Sequence, residues 1–351
     1  MNDKFASRFK NIPQDIWLKI AELESLRGRW DGSTKHSPQV MGRLKKSVLI
    51  TSTGASTRIE GSKLTDEQIE KMLKGLAIET FSNRDEQEVR GYYELLENVF
   101  NSWESLSFSE NLIKHFHKEL LKYVKKDELH RGEYKKTENT VEMINDQGES
   151  MGVLFATTKA YLTSKEMLEL VEWTITELQG NKHHPILVIS NFVVEFLNIH
   201  PFTDGNGRLS RILTNLLMLK QGFLYMPYVS HEKLVEDNKS DYYLALRQSQ
   251  RTLRSKSPDL SSWLNFFLDI ALTQSRQAIE LLSVDDVFAM LSPTQQKVWE
   301  YLGTVESASP LEMSQKMNIP RPTINQVTTK LEELKLIRRV GQGSTTRYQK
   351  L

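Results

Sequence analysis

The 351-residue sequence predicts a mainly α-helical protein with one small β-hairpin, followed by a C-terminal winged helix-turn-helix domain. Three observations lead there. Apolar residues recur three and four apart through most of the chain up to about residue 282, the period of helices with one buried face. One stretch, residues 139–162, breaks that rhythm with β-branched residues and glycines. From Ser283 the pattern shortens to three brief helical runs and two strand-like ones.

Composition bounds the rest. The chain exceeds the ~250 to 300 residues at which single cores stop growing, so two or three folding units are expected. With 46 Lys and Arg against 45 Asp and Glu, net charge points to no nucleic-acid or membrane partner for the chain as a whole. The absence of cysteine excludes a disulfide scaffold and thiolate chemistry, leaving histidine and carboxylates as candidate catalytic groups. The start, "MNDKFASRFKNIPQDIW", lacks an apolar signal core, and no run approaches ~18 uncharged apolar residues. A cytoplasmic, untethered protein is expected.

Taken in order, "TDEQIEKMLKG" opens with Thr65 and Gln68 at capping-box separation and closes at Gly75. "DEQEVRGYYELLENVF" and "SENLIKHFHKELLKYV" are amphipathic helices. In residues 139–162, "NTVEMINDQGESMGVLFATTKAYL", the Asp146-Gln147-Gly148 turn marks a hairpin, which packs too little alone and suits a flap. "PILVISNFVVEFLNI" is apolar on nearly every face with Pro185 at a first helical position, so it is expected as a buried central helix. "LSRILTNLLMLKQG" is a second, closed by Gly222. In the C-terminal domain "SPTQQKVWEYL", "SPLEMSQKM" and "RPTINQVTTKLEEL" read as three helices, with Ile324, Val327, Leu331 and Leu334 as the buried stripe of the third.

Between the two apolar helices lies "HPFTDGNGRLSR", His200 to Arg211. Its glycines let backbone approach a ligand closely, and a helix begins just after them, so unpaired N–H groups and the positive helix end face one point. Arg208 and Arg211 lie three apart on one side of that first turn, where forked guanidiniums suit phosphate oxygens. Asp204 is a candidate Mg2+ ligand, since that ion binds phosphates through one or two carboxylates. His200 is a candidate base for removing a hydroxyl proton, a step worth roughly 10^2 to 10^4 in rate. Together these groups point to phosphoryl or nucleotidyl transfer.

His200, Phe202, Asp204, Gly205, Asn206, Gly207, Arg208 and Arg211 match every fixed position of H-x-F-x-D/E-G-N-G-R-x-x-R. The sequence therefore resembles Fic-domain proteins over roughly residues 45 to 270. The resemblance implies a Fic-type helical bundle and a protein adenylyltransferase that moves AMP from ATP to a Ser, Thr or Tyr hydroxyl of a target protein. It implies His200 as general base, Asp204 as Mg2+ ligand, and the stretch Gly205, Asn206, Gly207, Arg208, Leu209, Ser210 and Arg211 around the phosphates. Phe202 becomes a packing anchor and Tyr243, in "DYY", an adenine-site residue or a core aromatic. The hairpin becomes the flap on which a target strand docks.

Upstream, "STRIEG" sets Ser56 and Glu60 on one helix face with Gly61 at the helix end. It resembles the inhibitory [S/T]-x-x-x-E-[G/N] element of self-inhibited Fic proteins, implying that Glu60 pairs with Arg211 and blocks the productive ATP pose. The expected organisation is residues 1–105 as a helical region carrying that brake, 106–282 as the Fic catalytic domain and 283–351 as the winged helix. The last segment has seven Lys and Arg between Arg321 and Leu351 against Glu332 and Glu333, with Thr323, Asn325, Gln326 and Thr329 outward. DNA binding and protein–protein or homodimer contact both stay open for it. Auto-modification, removal of AMP by the same site, and a transcription regulator with a nucleotide-sensing Fic part are the alternative functional readings.

Overall fold

Side chains placed just ahead of several apolar runs mark where those helices begin. The computed structural model describes residues 3–32, 38–74, 83–144, 150–334, 336–341, 343 and 346–351. Its first elements are α1 (Asp3–Ala6), α2 (Gln14–Gly32), α3 (Pro38–Ile59), α4 (Asp66–Lys74), α5 (Arg84–Ser102) and α6 (Glu110–Leu120). Thr65 and Gln68 satisfy each other's backbone amides at 3.3 and 2.9 Å ahead of α4. Asn83 and Ser109 accept from Glu86 and Leu112 at the starts of α5 and α6. Each such cap is worth ~1 kcal/mol.

The strands β1 (Thr140–Ile144) and β2 (Ser150–Ala156) pair antiparallel with two register irregularities. The expected turn at Asp146-Gln147-Gly148, and the stop at Gly75, lie outside the described residues. The hairpin text was expected to run to residue 162, but Ala160 already opens α7 (Ala160–Gly180). Thr163, Met167, Leu170, Val171 and Thr174 are buried along α7, so its helical period starts where the strand pattern was extended too far.

Then come α8 (Pro185–Ile199), α9 (Asn206–Lys220), α10 (His231–Asp237), α11 (Lys239–Gln250) and α12 (Ser261–Met290). Every residue of α8 from Ile186 to Ile199 is buried, and α7 and α9 pack on it. Each fully buried Leu, Ile, Val or Phe there contributes ~1.5 to 3 kcal/mol, which makes α8 the axis of the core. Arg8, just after α1, reaches this axis through Glu195 at 2.7 Å and Asn191 at 2.8 Å. α5 lies against α3, α6 and α9, and approaches α6 at Gly91, where a Cβ would run into the Leu120 carbonyl oxygen.

Residues Met1–Ile279 form one compact unit and Glu280–Leu351 a second, so the division expected near residue 105 falls inside the first. The second unit holds α13 (Pro293–Leu302), α14 (Pro310–Met317) and α15 (Arg321–Glu333), then β3 (Ile337–Val340) paired antiparallel with β4 (Arg347–Lys350). Capping boxes from Ser292 and Ser309, each followed by proline, start α13 and α14. Ile324, Val327 and Leu331 are buried and Leu334 is half-buried against them. Among the described residues no helix is long and apolar enough to cross a membrane.

Candidate active site

The chain between α8 and α9 is bounded by two left-handed residues. His200 caps α8 at φ 53° and ψ 62°, and Gly205 caps the start of α9 at φ 79°. Glycine takes this geometry freely, whereas a histidine there carries ~1 to 3 kcal/mol of strain that its surroundings must hold. The proline after His200 disfavours continuing the helix.

Several side chains hold the loop. Phe202 is fully buried, stacked on His117 with centroids 3.8 Å apart and planes 8° apart, and tilted against Tyr134. His117 Nε2 lies 3.0 Å from the Asp204 carbonyl, and its Nδ1 accepts from Gly132 N at 2.9 Å, so Nε2 carries the proton. Burial draws the pKa of His117 down to about 4, keeping that tautomer neutral. Asn206 turns both ends of its carboxamide to Phe202, accepting from its N at 3.0 Å and donating to its O at 2.8 Å.

The His200 ring is partly buried, with Nδ1 3.4 Å from the Leu197 carbonyl. A carbonyl can only accept, so the proton sits on Nδ1 and the Nε2 lone pair is left for chemistry. Burial lowers its pKa to about 4, helped by the Lys135 ammonium against the Leu197 carbonyl, Glu60 and Asp204. At neutral pH the imidazole is an unprotonated base.

At the start of α9 the N-cap Gly205 offers no side chain, so the first N–H groups and the positive helix end are left for other partners. The groups nearest that end are charged. Arg211, almost completely buried, donates through Nε to Ser56 Oγ at 2.8 Å and through Nη2 to the Ser56 carbonyl at 2.9 Å and Glu60 Oε1 at 2.8 Å. Burial weakens its hold on the proton, and the adjacent Glu60 more than offsets this. A Cβ built on Gly207 would collide with the Glu60 carboxylate, which therefore lies directly against the first turn of α9. Glu60 is aimed there by the end of α3, where Arg58 pairs with Glu236 at 2.6 Å and Asp66 at 2.8 Å, and Gly61 turns the chain at φ 106°.

Arg208 has a different neighbourhood. Glu88 of α5 lies 2.7 Å from its Nη1, and Asp204 3.1 Å from its Nη2. Arg84 closes the circuit, 2.6 Å from Glu88 and 2.5 Å from Asp204, and reaches Asp127 at 3.2 Å. Two guanidiniums and two carboxylates thus alternate around a ring. Burial works against ionising Asp204, but Arg208, the Gly205 amide and Arg84 outweigh it and hold its pKa below the usual range.

Among the described residues no group of three or more His, Cys, Asp or Glu side chains could hold a metal ion. Asp204 is a single carboxylate, 37% exposed, beside the helix end. That donor set fits Mg2+, which takes one or two carboxylates and completes its shell with water and phosphate oxygens.

The structure thus brings Glu60, Asp204, Gly205, Asn206, Gly207, Arg208 and Arg211 to one end of α9, with His200 at the loop's far side. Leu209 is fully buried, and the Ser210 hydroxyl donates to the Gly207 carbonyl at 2.7 Å, so both turn their side chains into the helix packing. Tyr243, on α11, is half-buried, with its hydroxyl 3.5 Å from the Ile59 carbonyl and its ring edge-on to Tyr242. Sequence reasoning missed Glu88, Arg84, His117, Lys135 and Asn139. The Arg84/Glu88 spacing was visible as an i, i+4 pair, but it reads as a solvated helix face.

A helical domain organised around a polar loop, a histidine and an anion-ready helix end is the class that fold and site define. The Fic/DOC family model matches residues 107–218. A Fido domain-containing protein of Dictyostelium discoideum is 34% identical over 102 residues, 28% of this chain and 67% of that protein. The chain belongs to the Fic/DOC family. It is also 24% identical over 327 residues to "Protein adenylyltransferase Fic" of Drosophila persimilis, covering 91% of this chain but 58% of that one, so it spans less than two thirds of such relatives. In fold it is similar to the crystal structure of a Fic family protein from Desulfovibrio desulfuricans G20, with TM-score 0.65, 22% identity and 97% of each chain covered.

Proposed function

We propose that the chain is a protein adenylyltransferase held in check by its own Glu60. One observation carries this reading: a carboxylate of the same chain lies on Gly207 at the helix end and is gripped by Arg211, so the place suited to a phosphate is filled by an internal anion. Relatives that share most of this chain's length are named for that activity.

In the reaction, a Ser, Thr or Tyr hydroxyl of the target attacks the α-phosphorus of ATP and its proton passes to His200 Nε2. The bond from the α-phosphorus to the bridging oxygen breaks, and pyrophosphate leaves with the electron pair. The first N–H groups of α9, Arg208 and Arg211 hold the phosphates, and Tyr243 borders the adenine. Asp204 would hold Mg2+, whose charge offsets that of the phosphates when bound. Glu60 competes with the nucleotide for one guanidinium, and differential affinity of ~1 to 3 kcal/mol is the usual scale of such regulation.

The target docks as a strand on the hairpin edge, and a second copy of the chain is the simplest target. Residues 1–105 carry the brake and 106–282 the chemistry. Residues 283–351 form a winged helix whose exposed Asn325, Gln326 and Thr329 could meet DNA, or support a homodimer. Incubating wild type and Glu60→Gly with labelled ATP, and with other labelled nucleotides, followed by mass spectrometry, tests the reading. An AMP adduct that grows in Glu60→Gly supports it, and no adduct from either form overturns it.

A further inference from the structure

The root of the hairpin holds the backbone of the histidine. Four consecutive carbonyls, Ile199 to Phe202, each accept a hydrogen bond from the segment that leads into β1. Lys135 Nζ donates to Ile199 O at 3.0 Å and Lys135 N to Pro201 O at 2.8 Å. Asn139 Nδ2 lies 3.4 Å from His200 O and 3.0 Å from Phe202 O. These donors surround the one residue of the loop, His200, that is a non-glycine in left-handed geometry.

The donors are themselves fixed. Lys135 is buried, and among the described residues no carboxylate lies within ion-pair distance of it. Its ammonium is held by neutral acceptors: Asn139 Oδ1 at 2.7 Å, Thr157 Oγ1 at 2.8 Å and the end of α8. The C-terminal end of a helix is where a cation is favoured. Thr157, just after β2, lies 2.7 Å from the Asn139 carbonyl and so joins the two ends of the hairpin. Burial disfavours the charged form of Lys135 and Arg254 adds to this, outweighing Glu138 and Glu166, so the Lys135 pKa falls to about 8. Such an arrangement is costly for mere packing.

We propose that Lys135 and Asn139 are positioning residues that keep the His200 backbone left-handed and its imidazole aimed, coupling the hairpin to the base. The inference rests on the adenylyltransferase reading. A displacement of about 1 Å in such a group costs on the order of 10^2 in rate.

Asn139→Asp is the decisive variant, because it keeps the oxygen that Lys135 and Thr157 use and puts an acceptor, a carboxylate oxygen, where the donor to His200 and Phe202 stood. In the Glu60→Gly background, Asn139→Asp lowers kcat for AMP transfer by about 10 to 100-fold, leaving KM for ATP and thermal stability within about twofold and a few degrees. Asn139→Gln, which restores a donor, recovers part of the rate. Amide exchange of full-length protein without nucleotide quickens at residues 199–203. Unchanged kcat in Asn139→Asp overturns the inference, as does faster exchange without a loss of kcat. If the Glu60→Gly parent transfers no AMP, the adenylyltransferase reading falls by itself, and unchanged exchange at residues 199–203 then overturns the clasp separately.

Discussion

Arg208 and Arg211 stand three residues apart on one helical turn, yet their partners come from unlike places. Arg211 meets Glu60 just beyond the end of α3, on a chain that turns away at Gly61. Arg208 meets Glu88 inside α5, within a closed ring that also ties Asp204 and Arg84. A side chain at a helix end can swing with little disturbance, whereas one in mid-helix moves only with its helix. The difference teaches that the same chemical pair can sit at a free helix end, as the proposed stop requires, or be built into a closed ring.

The largest test removes the base of the proposed transfer, in which both arginines hold phosphates. His200→Ala is expected to lower transfer by about 10^2 to 10^4 while ATP still binds, as read by mass spectrometry and calorimetry. Retained labelling at the wild-type rate breaks the assignment of the base.

Glu60→Gly comes next and is expected to raise auto-modification by about 5 to 150-fold, the range of regulatory couplings. No rise with unchanged ATP binding removes the stop from the comparison. Glu88→Gln sharpens the other half: in the Glu60→Gly background it is expected to lower transfer by ~10-fold and to lower the melting temperature, since it neutralises one of the two carboxylates paired with the buried Arg208 guanidinium. A rise in transfer would make Glu88 a second stop rather than a brace.

Gly91→Ala acts at a distance, pressing α5 away from α6 at a cost of ~1 to 3 kcal/mol. It is expected to loosen the Arg208 ring in a crystal structure while leaving Arg211 on Glu60. The smallest effect on transfer concerns pH. His117 and His200 have pKa values near 4 when folded and about 6.5 when unfolded. The unfolded chain therefore binds more protons between those values, so stability is complete above 6.5 and falls as pH drops toward 4. The transfer rate of Glu60→Gly is expected to show no inflection near 6.5.

The parts of this fold set by local pattern were legible in the sequence. α8 and α9 follow from apolar periodicity, Pro185 and the terminal glycines, and the loop between them from residues that only a site would gather. The Glu60 contact was legible only through resemblance, because nothing in "STRIEG" alone distinguishes a site residue from a solvated charge. Glu88 lies 120 residues from Arg208, and Lys135 and Asn139 lie some 60 residues ahead of the loop they hold; such partners are chosen by helix packing, which one sequence does not display. The resemblance implies Asn206 as a phosphate contact, while the structure gives its carboxamide to Phe202.

Glutamate and glycine codons differ by a single base. The space against Gly207 is thus emptied by one transition in the triplet for residue 60, a change that replication errors supply in every large population. Competing cells that carry the two alleles would weigh, in generations rather than in ångströms, what it is worth to keep that carboxylate in place.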